Sequence, residues 1–166
     1  MDGYQELRSE VIGLVEHVVA SAGPEHSELI VTDLRPDGTE VLVRVSPKRP
    51  SGASILVHVD EHVPVIDVTL GRGGFYEVPL ERGRYTDLTA LDEVRALCLA
   101  AVKGRYRETV WLKGDDVIRS SGVAHIGSRE APVRWAQLST NPFRRAMRLD
   151  LAYEPYDPDD DEAEGV

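Results

Sequence analysis

Two histidines, His58 and His62, flank the triplet Val59-Asp60-Glu61. Imidazole and carboxylate are ligand types for a divalent cation. The spacing opposes that use. In an alternating strand His58 sits on the polar face, whereas His62 falls beside a turn, so the rings need not converge. The pattern is also not the helical His-Glu-x-x-His of zinc hydrolases. The expectation is no metal, with His58 and His62 as ordinary hairpin surface residues. Gly71-Arg72-Gly73-Gly74 resembles a phosphate loop only in composition. A phosphate loop feeds backbone N–H groups into a helix N-terminus, and here the strand-like Phe75-Tyr76-Glu77-Val78 follows. A chain turn is expected.

The single cysteine, Cys98, lies between Leu97 and Leu99 on an apolar stretch. It lacks the exposure and positive surroundings that make a thiolate, and no internal disulfide is available. Ser120-Ser121-Gly122 with His125 invites comparison with hydrolases, but Gly-x-Ser-x-Gly is absent. No catalytic residue set emerges, and no cofactor is expected. An enzyme of unidentified type stands as the second alternative.

Charge is distributed in three blocks. Residues 1–101 hold 17 acids and 9 bases, 102–148 hold 10 bases and 4 acids, and 149–166 hold 8 acids and no base. The basic block interleaves cations with Tyr106, Trp111, Trp135 and Phe143. That combination serves nucleic acid, with charge for phosphates and rings for bases. The candidate contacts are Arg134, Trp135, Arg144, Arg145 and Arg148, gated by the acidic C-terminal segment. On the acidic body the candidate partner-binding residues are Asp60, Glu61, Asp67 and Glu77, which would attract a basic protein and speed encounter.

The elements that must position these residues follow from periodicity. Tyr4, Leu7, Val11, Leu14, Val15, Val18 and Ala22 form a helical stripe, stopped by Gly23-Pro24. Period-two apolar runs then predict five strands, near 29–31, 41–45, 55–59, 63–70 and 75–80, joined by short turns. Helical spacing returns over 90–103, with Thr89 and Asp92 suggesting a capping box. Strands are expected over 109–113, 117–126 and 145–153. Residues 127–143 show no clear pattern, because Gly127, Pro132 and Pro142 interrupt it. The predicted fold class is α+β. An antiparallel β-meander sheet of about 7–8 strands is covered by two amphipathic helices, in the order α-βββββ-α-βββ. Residues 1–153 form one domain, and 154–166, too acidic to bury surface, a disordered tail.

No apolar run reaches the ~20 residues of a membrane span. The polar N-terminus is no leader peptide, so a cytoplasmic location with no membrane partner is expected. In size, acidity and element order the chain resembles small bacterial immunity proteins and secretion chaperones. The acidic body and the lack of a catalytic set lead to the expectation of a non-catalytic protein-binding module with a basic protein partner. A nucleic-acid-associated role for residues 102–148 is the alternative.

Overall fold

The helical stripe at the start of the chain becomes α1 (Gly3–Ser21), with Tyr4, Leu7, Val11, Leu14, Val15 and Val18 all buried. Gly23 takes φ 87° and Pro24 opens a single 3₁₀ turn, so α1 cannot continue. Five strands follow: β1 (Ser27–Asp33), β2 (Glu40–Pro47), β3 (Ile55–Asp60), β4 (Val65–Leu70) and β5 (Gly74–Pro79). Each pairs antiparallel with the next. Then come α2 (Leu88–Val102), β6 (Tyr106–Lys113), β7 (Asp116–Ile126), β8 (Arg129–Ala136) and β9 (Met147–Ala152). This computed structural model describes residues 3–80, 88–136 and 146–159, with the side chains of 135 and 136 set aside.

The class is α+β and antiparallel, as the periodicity indicates, but there are two sheets. One has the order β1-β2-β3-β4-β5 and the other β8-β7-β6-β9. The single sheet of 7–8 strands is thus corrected to sheets of five and four. The strand missing from the sequence reading is β8, where Pro132 broke the pattern. Pro132 is tolerated because β8 is an edge strand, and an edge residue can forgo its N–H bond. Helix α2 begins at Leu88, which places Thr89 inside the first turn rather than at the cap.

One side of the five-stranded sheet is apolar and closed. Val41, Val43 and Val45, Ile55, Val57 and Val59, and Ile66, Val68 and Leu70 have no exposed surface. They join α1 and α2 in one core that also takes in Tyr106, Ala124, Ala131 and Val133 of the second sheet. The alternation leaves the opposite face of each sheet to solvent. Those two outer faces carry His58, Asp67, Glu77, Arg134 and Arg148 among the candidate functional residues.

The ordered body continues past Tyr153. Tyr156 is 1% exposed, its hydroxyl donates to the Ala53 carbonyl, and Glu154 pairs with Arg49. Residues 154–156 therefore pack on the body rather than beginning a tail, because the aromatic ring of Tyr156 supplies burial that the surrounding acids cannot. Residues 160–166 lie outside the described ones. No described helix is long and apolar enough to cross a membrane.

Candidate functional site

Strand register assembles the outer face of the five-stranded sheet from distant residues. One cross-strand row runs Thr32, Leu42, His58, Asp67, Glu77, and the next runs Ile30, Arg44, Leu56, Thr69, Phe75. Leu42, Leu56 and Phe75 are half-buried, and Ile30 is 43% exposed. Apolar and acidic side chains thus share this face with the exposed Arg44, which stands between Ile30 and Leu56.

His58 is its polar centre. Its Nε2 lies 2.9 Å from Glu40 Oε1 and its Nδ1 3.2 Å from Asp67 Oδ2. Arg35 closes the network, with Nε 2.8 Å from Glu40 Oε2 and Nη2 3.3 Å from Asp60 Oδ2. Partial burial presses the His58 imidazolium pKa down. The hydrogen bonds and charges of Glu40 and Asp67 outweigh that effect, and the net shift is upward. Both ring nitrogens are committed to carboxylates. The backbone N–H of His62 donates to Asp60 Oδ1, and the His62 side chain is exposed in the β3–β4 turn. Among the described residues, no group of three or more histidine, cysteine or acidic side chains gathers to hold a metal ion.

The four acidic candidates separate. Asp67 and Glu77 are register partners on β4 and β5. Asp60 is braced by Arg35 at the end of the face. Glu61 occupies the turn, where its N–H donates to the Thr39 carbonyl. Like charges directly opposite on neighbouring strands repel. Asp67 has His58 to offset this, while Glu77 is exposed and has no ion pair among the described residues.

The outer face of the four-stranded sheet has the opposite character. Period-two alternation puts Arg107, Thr109, Trp111 and Lys113 of β6 on it, beside Arg119, Ser121 and His125 of β7. Arg134 of β8 pairs with Ser121, and Arg148 of β9 pairs with Trp111. The Arg119 guanidinium lies 4.7 Å from the centre of the Trp111 ring, a cation–π distance. Arg148 and Thr109 both contact Asp150. A cleft of about 510 Å³ opens here, lined in part by Arg107, Thr109, Ser121, His125, Glu130 and Asp150. Of the five nucleic-acid candidates, Arg134 and Arg148 stand on this face. Trp135 pairs in backbone register with Ser120, and its side chain lies outside the described residues, as do Arg144 and Arg145. Trp111 is the aromatic that the structure sets among the arginines.

Between the sheets lies a carboxylate that sequence reading passed over. Glu108 is 3% exposed. Its Oε1 accepts the Tyr153 hydroxyl and the Arg72 backbone N–H, each at 2.8 Å, and its Oε2 accepts the Tyr106 hydroxyl at 2.7 Å. The two tyrosine rings stack, with centroids 5.5 Å apart. Burial, and then the charge of Glu108, push both phenol pKa values up. The Gly71–Gly74 segment is therefore a turn whose N–H binds an internal anion. The signal was available: Glu108 shares its strand parity with Tyr106, Val110 and Leu112, an acidic residue at an apolar position.

The nucleophile candidates are placed apart. Ser120 points inward and donates to the Gly73 carbonyl at 2.6 Å, while His125 is on the outer side, 3.5 Å from Glu130. The Cys98 thiol is fully buried, and desolvation pushes its pKa up to about 12, so it stays protonated and inert. The chain matches no family model, and neither the curated proteins nor the solved structures yield a match.

Proposed function

We propose that the protein is a non-catalytic binding module that takes a basic protein partner on the outer face of its five-stranded sheet. The observation that carries this reading is the Asp67–Glu77 pair. Two carboxylates oppose each other across β4 and β5, and among the described residues Asp67 has His58 as an ion-pair partner while Glu77 has none. A lysine or arginine brought in from outside relieves their repulsion. Ile30, Leu42, Leu56 and Phe75 give the same face apolar area, interleaved with its charges, that an interface can dehydrate. The Arg35–Glu40–His58–Asp67 network holds the acids in place before a partner arrives, which lowers the ordering cost of association.

The test is affinity capture from native lysate at low salt, using wild type, Glu77→Lys, Leu56→Lys and, as a control on the other sheet, Arg134→Gln. A partner held by wild type and by the control, but lost by the first two variants, supports the reading. Capture that ignores Glu77→Lys and Leu56→Lys overturns it.

A second reading rests on a separate observation, the arginines around Trp111. Arg107, Lys113, Arg119 and Arg134 have no carboxylate ion pair among the described residues. With the Trp111–Arg119 stack they suit a single-stranded nucleic acid. Four phosphate contacts correspond to a log–log salt slope of roughly −3, or about fifty-fold weaker binding between 50 and 200 mM salt. Titrating a thymidine oligonucleotide tests it. Binding that steepens in this way and weakens with Trp111→Ala supports the assignment, and no binding at 50 mM salt removes it.

A further inference from the structure

The two sheets have four edges, and three of them are guarded against pairing with another strand. Edge strand β8 carries Arg129, Glu130, Pro132 and Arg134, and β9 carries Arg148 and Asp150. Edge strand β5 ends in Pro79, carries the exposed Glu77, and packs against β8. Charges, proline and coverage are the usual devices that blunt an edge. Strand β1 has none of them at its centre. Its middle reads Leu29-Ile30-Val31-Thr32, its pairing with β2 is unbroken, and no other strand joins it among the described residues. Ile30 and Val31 are 43% and 37% exposed, and Leu34, just beyond the strand, is 46% exposed.

We propose that β1 is a homodimerisation edge, which pairs antiparallel with β1 of a second copy about a two-fold axis at Ile30. The inference shares Ile30 with the binding reading above but is carried by the open edge of β1 and not by the Asp67–Glu77 pair. Backbone direction supports it. The Leu34 N–H bonds the Glu40 carbonyl and the Lys48 N–H bonds the His26 carbonyl. Even-numbered positions therefore direct their backbone groups at β2, and odd-numbered ones direct theirs at the open edge. A two-fold axis at Ile30 sets Leu29 opposite Val31 of the second copy and Ser27 opposite Asp33. The odd residues then exchange hydrogen bonds, and the full strand is used. The side chains are self-complementary in the same register. Leu29 meets Val31, Ile30 meets Ile30, Glu28 meets Thr32, and no acid opposes an acid. Moving the axis to Val31 would set Leu29 opposite Asp33, and moving it to Leu29 would shorten the paired segment. An isologous contact of this kind closes at two copies.

Sedimentation of the full chain from about 1 to 100 μM tests the proposal, with a concentration-dependent dimer as the expected result. Val31→Pro deletes an N–H that faces the open edge while leaving the bonds to β2. Ile30→Lys places an exposed charge on the axis. Each should return the protein to monomer with its circular dichroism unchanged. Register is tested by charge: Thr32→Lys faces Glu28 and should tighten the dimer, whereas Thr32→Glu should weaken it. Because Cys98 is buried, diamide oxidation of Ile30→Cys reports the axis directly. It should yield a disulfide-linked dimer, while Thr32→Cys, whose counterpart is Glu28, should not. A monomer at 100 μM, a dimer that survives both Val31→Pro and Ile30→Lys, or equal cross-linking by the two cysteine variants would overturn the assignment.

Discussion

Glu108→Ala is the most demanding perturbation of the fold. Glu108 is 3% exposed, and its carboxylate accepts three hydrogen bonds, from Tyr106, Tyr153 and the Arg72 backbone. Truncation leaves a void and strips this acceptor from the buried Tyr106 hydroxyl and the part-buried Tyr153 hydroxyl, while the Arg72 N–H keeps the Tyr153 oxygen at 3.2 Å. An unsatisfied buried polar group costs about 1–3 kcal/mol, and lost packing adds to it. The tyrosine hydroxyls can turn toward each other and recover part, so the expected loss is about 3–5 kcal/mol. For a chain of this size that is a fall in Tm of roughly 6–20 °C. Glu108→Gln is the measured contrast. Its carbonyl still accepts from Arg72 and Tyr153, and the Tyr106 hydroxyl can rotate to accept from the amide. The cost should fall to about 1–2 kcal/mol, the difference between a charged and a neutral acceptor. Urea denaturation at constant m-value gives both numbers. A cycle of Tyr106→Phe and Tyr153→Phe tests whether the two phenols act through one carboxylate, by departing from additivity. If Glu108→Ala costs less than about 1 kcal/mol, or no more than Glu108→Gln, the three bonds do not tie the sheets together as argued.

Further outcomes follow from a histidine and two glycines. The His58 pKa is raised in the folded protein, above an ordinary value of about 6.5. Its contribution to stability is therefore complete below about pH 6.5 and disappears as pH rises through the folded-state value. His58→Gln should destabilise more at pH 5.5 than at pH 8.5, and equal losses by denaturation would rule out the Glu40–His58–Asp67 link. At the glycines, a Cβ on Gly74 would overlap the Tyr106 hydroxyl and stand 2.9 Å from Val133, whereas Gly13 in α1 has nothing within 4 Å. Gly74→Ala should cost about 1–3 kcal/mol through overpacking, and Gly13→Ala should gain about 0.5–1 kcal/mol, both read from thermal or urea unfolding.

What could be read from the sequence was local. The stripe from Tyr4 to Val18 and the alternation in Val41–Val45, Ile55–Val59 and Val65–Leu70 announce a helix and a meander, because each depends on neighbours within a few positions. The split into two sheets was not legible, since β9 pairs with β6 across about 40 residues and nothing in Met147–Ala152 names its partner. Strand β8 was hidden by Pro132, whose acceptability depends on edge position. The acidic site was half legible. Asp67 and Glu77 stand out as outward residues on separate strands, but the Glu40 and Arg35 that organise His58 come from other segments, and only register brings them together. Glu108 carried a local signal, a carboxylate at an apolar parity, which is lost when the strand is begun at Thr109 instead of Tyr106.

Register also turns the charge blocks of the chain into faces. Arg107, Lys113 and Arg119 reach one side of the second sheet because they share a parity, and β8 and β9 add Arg134 and Arg148 on the same side. Joining two copies at β1 leaves that basic face untouched and extends the acidic one across the axis. The contacts at the axis are backbone hydrogen bonds and apolar side chains. In the proposed register the two copies of Glu28 are offset by four residues, about 13 Å along the strands, beyond the ~8 Å screening length at physiological salt. Dimerisation should therefore hold nearly constant from 50 to 500 mM salt, whereas capture of a basic partner, carried by Asp67 and Glu77, should weaken over the same range. Sedimentation and capture measured on one salt series separate the two associations. A dimer that dissolves in step with the captured partner would place both on the acidic face and leave β1 with no part in either.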